Sequence, residues 1–385
     1  MRQTITAADD LPQNPQAPHD RGPQPTLVVR AGSPAALLRL VPHLLGFMPE
    51  ASLIVIGVAP PRDRIQVTLR YDLPDPPAAD LATEIAAHAL GVLSAQRLTA
   101  AVAVGYGPEP LVTPVARELR EAAWQAGIDV REFLRVADGR YWSYVCGNKK
   151  CCPAEGVPFD ATAADPAEAE ALAAVGDRVL ATRAALAARV APLGGLARES
   201  MRQATRRAEQ HIAQLLGKVR RSGRLGAARH MIASEGLAAV GAMITRYREG
   251  GRFTSDDEVA RLTVALRDLR VRDDAWARMD PGHSDAHQRL WTDVVQRAQP
   301  GYVAAPAALL AFVAWQSGDG ALANVALDRA LADDPRYSMA LLLRQVITAG
   351  APPALARLPM TPEEVAASYD GQDVDDPDPE MNDEH

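Results

Sequence analysis

Leu53-Ile54-Val55-Ile56-Gly57-Val58 is apolar throughout, whereas Ile65-Gln66-Val67-Thr68-Leu69-Arg70-Tyr71 alternates. An unbroken apolar run of this length predicts a strand covered on both faces, and the alternation predicts a strand with one face toward water. Pro60-Pro61-Arg62-Asp63 between them suits a hairpin loop. Upstream, Ser33-Pro34 offers an N-cap and a proline for a first helical turn, with Leu37, Leu38 and Val41 at helical spacing toward Gly46. Before it stands the short apolar run Leu27-Val28-Val29. Downstream, a proline-rich break over Leu73–Pro77 precedes a helix expected from Asp80 to Gln96. Ala100–Val104 is a second buried strand, and a helix from Glu109 to Ala126 stops at Gly127. Ile128–Val136 and Tyr141–Val145 flank Asp138-Gly139, a strong hairpin signal. The order β-α-β-β-α-β-α-β-β predicts an α/β domain over 26–160, a mixed sheet with packed helices and right-handed crossovers.

Beyond Asp165-Pro166 the hydrophobic period lengthens to that of a helix, with one stripe at Ala171, Val175, Val179 and Leu186. A second stripe follows at Met201, Ala204, Ala208, Ile212, Leu215 and Val219. This predicts an all-α domain over 161–355. Pro300-Gly301-Tyr302 and Pro335-Arg336-Tyr337 are thirty-five positions apart, near the ~34-residue tetratricopeptide period. With Trp315-Gln316-Ser317-Gly318-Asp319 and the small residues Ala321, Ala326 and Ala330, the spacing predicts a tetratricopeptide-like helix pair.

Residues 1–25 are rich in Pro, Gln and Asp and read as a disordered arm; 356–385 reads as an acidic disordered tail. From Pro359 to His385 there are ten acids and no Lys or Arg, so removing that segment changes the formal charge from −7 to +3. The opposite charge gathers between Arg198 and His230, which includes Arg202, Arg206, Arg207, Lys218, Arg220, Arg221 and Arg224. Such a stretch is a candidate contact for nucleic acid or another anion, with the acidic tail as its competitor. No apolar run is long enough to cross a membrane, no secretory segment opens the chain, and three cysteines close no disulfide framework. A cytoplasmic protein follows from this reading.

Chemistry concentrates in Cys146-Gly147-Asn148-Lys149-Lys150-Cys151-Cys152-Pro153. Cys146, Cys151 and Cys152 are expected to cluster where a hairpin leaves the sheet, as candidate ligands for Zn, as a redox-labile pair or as packed thiols. A fourth zinc ligand is sought at His43, His88 or Glu155, and Lys149 and Lys150 are expected to favour thiolate. A second candidate region, for a small ligand, comprises Phe47, Glu50, Ser52, Gly105, Tyr106, Gly107 and Glu109, with the last four of these after a strand's carboxyl end. Pro110 occupies the position of the third glycine of a dinucleotide fingerprint and Glu109 opposes phosphate, so tight-turn chemistry accounts better for the two glycines. His283 and His287 are four apart, a spacing able to share a metal on a helix. No nucleophile elbow or phosphate-binding loop is present.

Two stretches resemble a known family. Val41-Pro42-His43-Leu44-Leu45-Gly46-Phe47-Met48-Pro49-Glu50-Ala51-Ser52-Leu53-Ile54-Val55 is similar to a signature near the start of the bacterial domain-of-unknown-function family 4192. Tyr141–Cys146, with Cys151-Cys152-Pro153-Ala154-Glu155-Gly156-Val157-Pro158, is similar to its second, and Trp315–Gly320 also fits. The resemblance runs from about 26 to 345 and implies no activity. The chain departs from it at Met48, where the family often has His, and at Lys149, where Pro is common. The expectation is a non-enzymatic regulatory or scaffold protein that binds a protein partner. Its rivals are a small-ligand or enzymatic pocket near the cysteine loop and nucleic-acid binding through 198–230.

Overall fold

The computed structural model describes residues 33–60, 63–164, 166–175, 179–220, 225–353 and 360–370. Leu27–Val29, the expected disordered arm and Pro61-Arg62 of the expected hairpin loop lie outside these residues. The chain divides into two compact units, Met1–Ala185 and Leu186–His385.

In the first unit, helix α1 (Pro34–Leu45) starts where Ser33 Oγ accepts from the Ala36 N–H, and stops at Gly46 in the left-handed region. Strands β1 (Ser52–Ala59) and β2 (Arg64–Asp72), helix α2 (Leu81–Ala95), β3 (Ala100–Tyr106), α3 (Glu109–Gln125), β4 (Asp129–Ala137), β5 (Arg140–Ser143), β6 (Val157–Pro158) and α4 (Pro166–Val175) follow. The sheet order is β2-β1-β3-β4-β5-β6. Only the β3–β4 pair is parallel, so the six-stranded sheet is mixed. β1 and β3 are buried almost end to end. Leu53, Val55, Ala101, Ala103 and Phe133 pack with Ile85, Leu93, Val112 and Leu119 of α2 and α3 in one core. Two glycines allow this approach. A Cβ on Gly57 would lie 2.5 Å from Leu93 Cδ2, and one on Gly105 would lie 2.2 Å from Val112 Cγ1.

The alternation of β2 is weaker than expected, because residues on both its faces are half-buried. Arg70 is one reason: its guanidinium lies 5.5 Å from the centre of the Phe47 ring. The stripe expected to run from Ala171 to Leu186 in one helix is interrupted. α4 ends at Val175, and Leu180 instead makes an isolated bridge to Phe47, with mutual backbone hydrogen bonds to Gly46 and Met48 of 2.9 Å. Arg39 grips Glu168 with two bonds of 2.8 and 2.9 Å, tying α1 to α4.

After α5 (Arg183–Ala188), the second unit contains α6 (Gly195–Arg220), α7 (Leu225–Arg248), α8 (Asp256–Ala265), α9 (Leu269–Ala277), a 3-10 turn (Pro281–His283), α10 (Ser284–Arg297), α11 (Ala304–Gln316), α12 (Gly320–Asp333), α13 (Ser338–Thr348) and α14 (Pro362–Asp370). Met201, Ala204 and Ala208 of the predicted stripe are buried on α6. α11 is buried from Ala304 to Trp315, including both rings, Phe312 and Trp315. The Asp333 carboxylate at the end of α12 accepts from the N–H groups of Gly301, Val303 and Ala304 at 2.7, 2.9 and 3.1 Å. It thereby satisfies donors that helix α11 leaves open.

Buried Asp293 is held by the Tyr247 hydroxyl at 2.6 Å and by the Arg252 guanidinium. The expected tail is not uniformly irregular, since residues 362–370 form α14. Thr361 and Glu364 make a reciprocal capping box, Val365 is buried, and the Tyr369 hydroxyl donates to Asp273 at 2.6 Å. The capping box and the Val365 contact outweigh the acidity of this short segment.

Two stability predictions follow from this packing. Gly105→Ala must push Val112 aside and is expected to cost about 1–3 kcal/mol, measured by chemical denaturation. His287 is 1% exposed, and burial first, then the Arg248 cation, push its pKa down to about 4, partly opposed by Asp280. The unfolded chain therefore binds the extra proton first as pH falls. Stability is expected to drop between pH 6.5 and about 4, by roughly 3 kcal/mol in full. His287→Gln should flatten that part of a stability–pH curve.

Candidate metal centre

The hairpin at Asp138-Gly139 places both turn residues at positive φ, 50° and 68°, as a tight type I′ turn requires. That register sets Arg135 opposite Trp142 and Leu134 opposite Ser143. Arg135 is 8% exposed, and its guanidinium lies 3.6 Å from the Trp142 ring centre. The ring also explains Gly156: a Cβ there would come within 2.5 Å of it, and the residue has φ +79°. Trp142 Nε1–H donates to Ala154 O at 3.0 Å, and Arg140 donates to Gly156 O at 2.9 Å. The far end of the cysteine loop is thus fastened to the hairpin that launches it.

Its near end is fastened by Ser143. Strand β5 stops there rather than at Val145, because Ser143 Oγ accepts from the N–H groups of Val145 and Cys146 at 3.2 and 3.0 Å. The same hydroxyl donates to Glu132 Oε1 at 2.7 Å. In the middle, Asn148 O accepts from the N–H groups of Cys151 and Cys152 at 3.2 and 2.9 Å, and Asn148 Oδ1 accepts from the Lys150 N–H at 2.9 Å.

These bonds gather the three free thiols at the sheet edge. Cys146 Sγ is 3.1 Å from Cys151 Sγ, Cys151 Sγ is 3.8 Å from Cys152 Sγ, and all three lie within 4.8 Å of one another. Cys151 is exposed and its two companions are partly covered. The Cys146 pKa is lowered by hydrogen bonding from Cys151, then from the Asn148 backbone and Cys152. Cys151 is pushed up, chiefly by its bond to Cys146, and Cys152 is pushed up to about 12 by burial and by both partners. The expectation that Lys149 and Lys150 favour thiolate is corrected: both are exposed, and the lowering at Cys146 comes from neighbouring thiols and a backbone amide. Nearby Tyr141 is also pushed up, by burial first and then by Cys152, Glu132 and Cys151.

Among the described residues, no His, Asp or Glu ligand atom joins the cluster within the same 4.8 Å. His88 Nδ1 is instead 2.7 Å from the Tyr71 hydroxyl, and Glu155 is exposed. The donor set is three soft sulfurs, which suits a thiophilic ion and not magnesium or calcium. His283 and His287 form no comparable group: His283 Nδ1 bonds Asp280 at 2.7 Å from the 3-10 turn, whereas His287 is buried on α10.

The small-ligand candidates are only partly brought together. Ser52 and Tyr106 pair in register, and both hydroxyls are buried without a hydrogen-bond partner among the described residues. Phe47 is buried against Leu180, and Gly105 faces Val112. Gly107 has φ +145° and donates to Val136 O at 2.9 Å, while Glu50 and Glu109 are exposed. Ser143, where the cysteine loop leaves β5, faces Leu134, two residues before Val136, the register partner of Tyr106. That offsets the root of the loop from Ser52 and Tyr106 by about 7 Å along the strand direction, with β4 between.

On α6, Arg202 pairs with Glu199 and Arg207 with Asp257, leaving Arg198 and Arg206 exposed on its surface. Lys218 and Arg220 lie in the last turn of α6, and Arg221 and Arg224 lie outside the described residues. Of the residues that hold the loop, Trp142 and Ser143 fall within the second family signature, whereas Arg135 and Glu132 fall in no motif. Counting outward from Asp138-Gly139 would have paired Arg135 with Trp142.

The architecture is therefore that of a two-unit protein: a mixed α/β sheet carrying a thiol-rich edge loop, followed by a mostly helical unit. The chain belongs to the family described as domain of unknown function (DUF4192), which matches residues 34–354. No curated protein and no solved structure matches the chain. No helix among the described residues is long and apolar enough to cross a membrane.

The thiol environments predict an order of reactivity. With the Cys146 pKa lowered and those of Cys151 and Cys152 raised, iodoacetamide is expected to modify Cys146 first and Cys152 last. Peptide mass mapping of a time course checks this.

Proposed function

We propose that this protein is a non-enzymatic regulatory or scaffold protein of the cytoplasm that binds a protein partner through its second unit. The observation that supports this most is the outer face of α13. Leu341, Leu342 and Val346 are 46%, 62% and 38% exposed, while Met339, Ala340 and Leu343 of the same helix are buried. A scattered exposed leucine is ordinary, but three large apolar side chains on one helix face form a patch that water solvates poorly. Exposed Arg336 stands just before this helix, and Arg344 lies within it, paired with Asp328 at 2.6 Å. The partner segment suited to this surface is an amphipathic helix with an apolar stripe and flanking carboxylates.

The tetratricopeptide-like reading supports the same role. Pro300-Gly301-Tyr302 precedes α11 and Pro335-Arg336-Tyr337 precedes α13, so the thirty-five-residue spacing coincides with helix starts. Stacked helix pairs of this kind present extended faces to peptide segments.

Leu342→Asp and Val346→Asp test the proposal, because both side chains are exposed and the fold, read by circular dichroism, should be unchanged. A partner identified by co-purification and then rebuilt from purified components is expected to bind at least ~10-fold more weakly to either variant, the loss of roughly one interface anchor. Undiminished binding, or a patch that serves only association of the chain with itself in sedimentation, would overturn it.

A further inference from the structure

We propose that Cys146, Cys151 and Cys152 form a three-thiolate site for a soft d10 cation of the zinc class, with one coordination position left open to solvent. This site shares no residue with the proposed partner-docking surface. A cation about 2.3 Å from each sulfur holds the sulfurs about 3.8–4.0 Å apart, in tetrahedral or trigonal geometry. Of the observed separations, 3.8 Å meets that requirement, 3.1 Å is shorter than it, and the third is inside 4.8 Å. Small side-chain rotations bring the three sulfurs onto one ion.

Hydrogen bonds from non-cysteine groups brace the loop backbone along its length. Asn148 O binds two amides, Ser143 holds the Cys146 N–H, and Trp142 with Arg140 holds Ala154 and Gly156. A site already folded loses less conformational entropy on binding. Binding exchanges three S–H bonds for three S–metal bonds: M2+ and three thiols give an M(SR)3 anion and three protons. The site then gains a single negative charge in a loop that also carries the exposed Lys149 and Lys150. With no His, Asp or Glu atom inside the cluster's radius among the described residues, solvent or an incoming ligand takes the fourth position.

The test uses the full chain, purified, reduced and titrated without oxygen with Cd(II) alone, following the sulfur-to-metal charge-transfer band and proton release. The expected result is saturation at one ion per chain with about three protons released, and competition by Zn(II). Replacing any one cysteine by Ser should lower the band by about a third and weaken Zn(II) at least ~10-fold, the smaller loss expected even of an outer-shell partner. Alkylation of the wild-type chain should abolish the band, which covers the case of a variant that fails to fold. Glu155→Gln should leave Zn(II) affinity unchanged. Absence of a saturating band, or a full band in Cys151→Ser, overturns the site; a 10-fold loss in Glu155→Gln overturns its open position.

Discussion

β1 and β3 have no wet face, and this constraint arranges the rest of the first unit. Buried strands must pair every backbone donor and acceptor, so these two lie inside the sheet, flanked by β2 on one side and β4 on the other. Burial on the α2 and α3 side demands that the helices come close, which only glycine permits at positions 57 and 105. Polar and reactive side chains are consequently displaced to the edge. There β5 and β6 are short, and the connection between them can carry chemistry without disturbing the core.

The edge loop is unusual in how little its thiols contribute to its own shape. Asn148, Ser143, Trp142 and Gly156 fix the backbone through amides, a hydroxyl, an indole and a missing side chain. The sulfurs project from this frame with unequal proton affinities, set by burial and by one another. A scaffold that is rigid while its donors remain partly exposed differs from a core cysteine cluster, whose sulfurs would be packed as small hydrophobes.

Local signals in the sequence were sufficient for most elements. Ser33-Pro34, Asp138-Gly139 and Gly127 act through their own backbone preferences, so their helices and hairpin were readable from a few residues. The clustering of three cysteines was equally local, since seven residues span them. What was not readable depended on distant partners. The pairing of Phe47 with Leu180 breaks a stripe that periodicity alone makes continuous. The half-burial of β2 depends on Arg70 reaching Phe47. The Thr361–Glu364 capping box was legible in principle, but the surrounding acids masked it.

The carboxylate of Asp333 joins the last residue of α12 to the amides that open α11, about thirty positions earlier. Fraying at the end of one helix therefore uncovers the beginning of the other. Opening of the last turn of α12 removes the acceptor of these amides, which couples local opening at the two helix ends. Because α11 is the most deeply packed helix of its unit, its protection is set in part by a single surface-proximal side chain that does not belong to it.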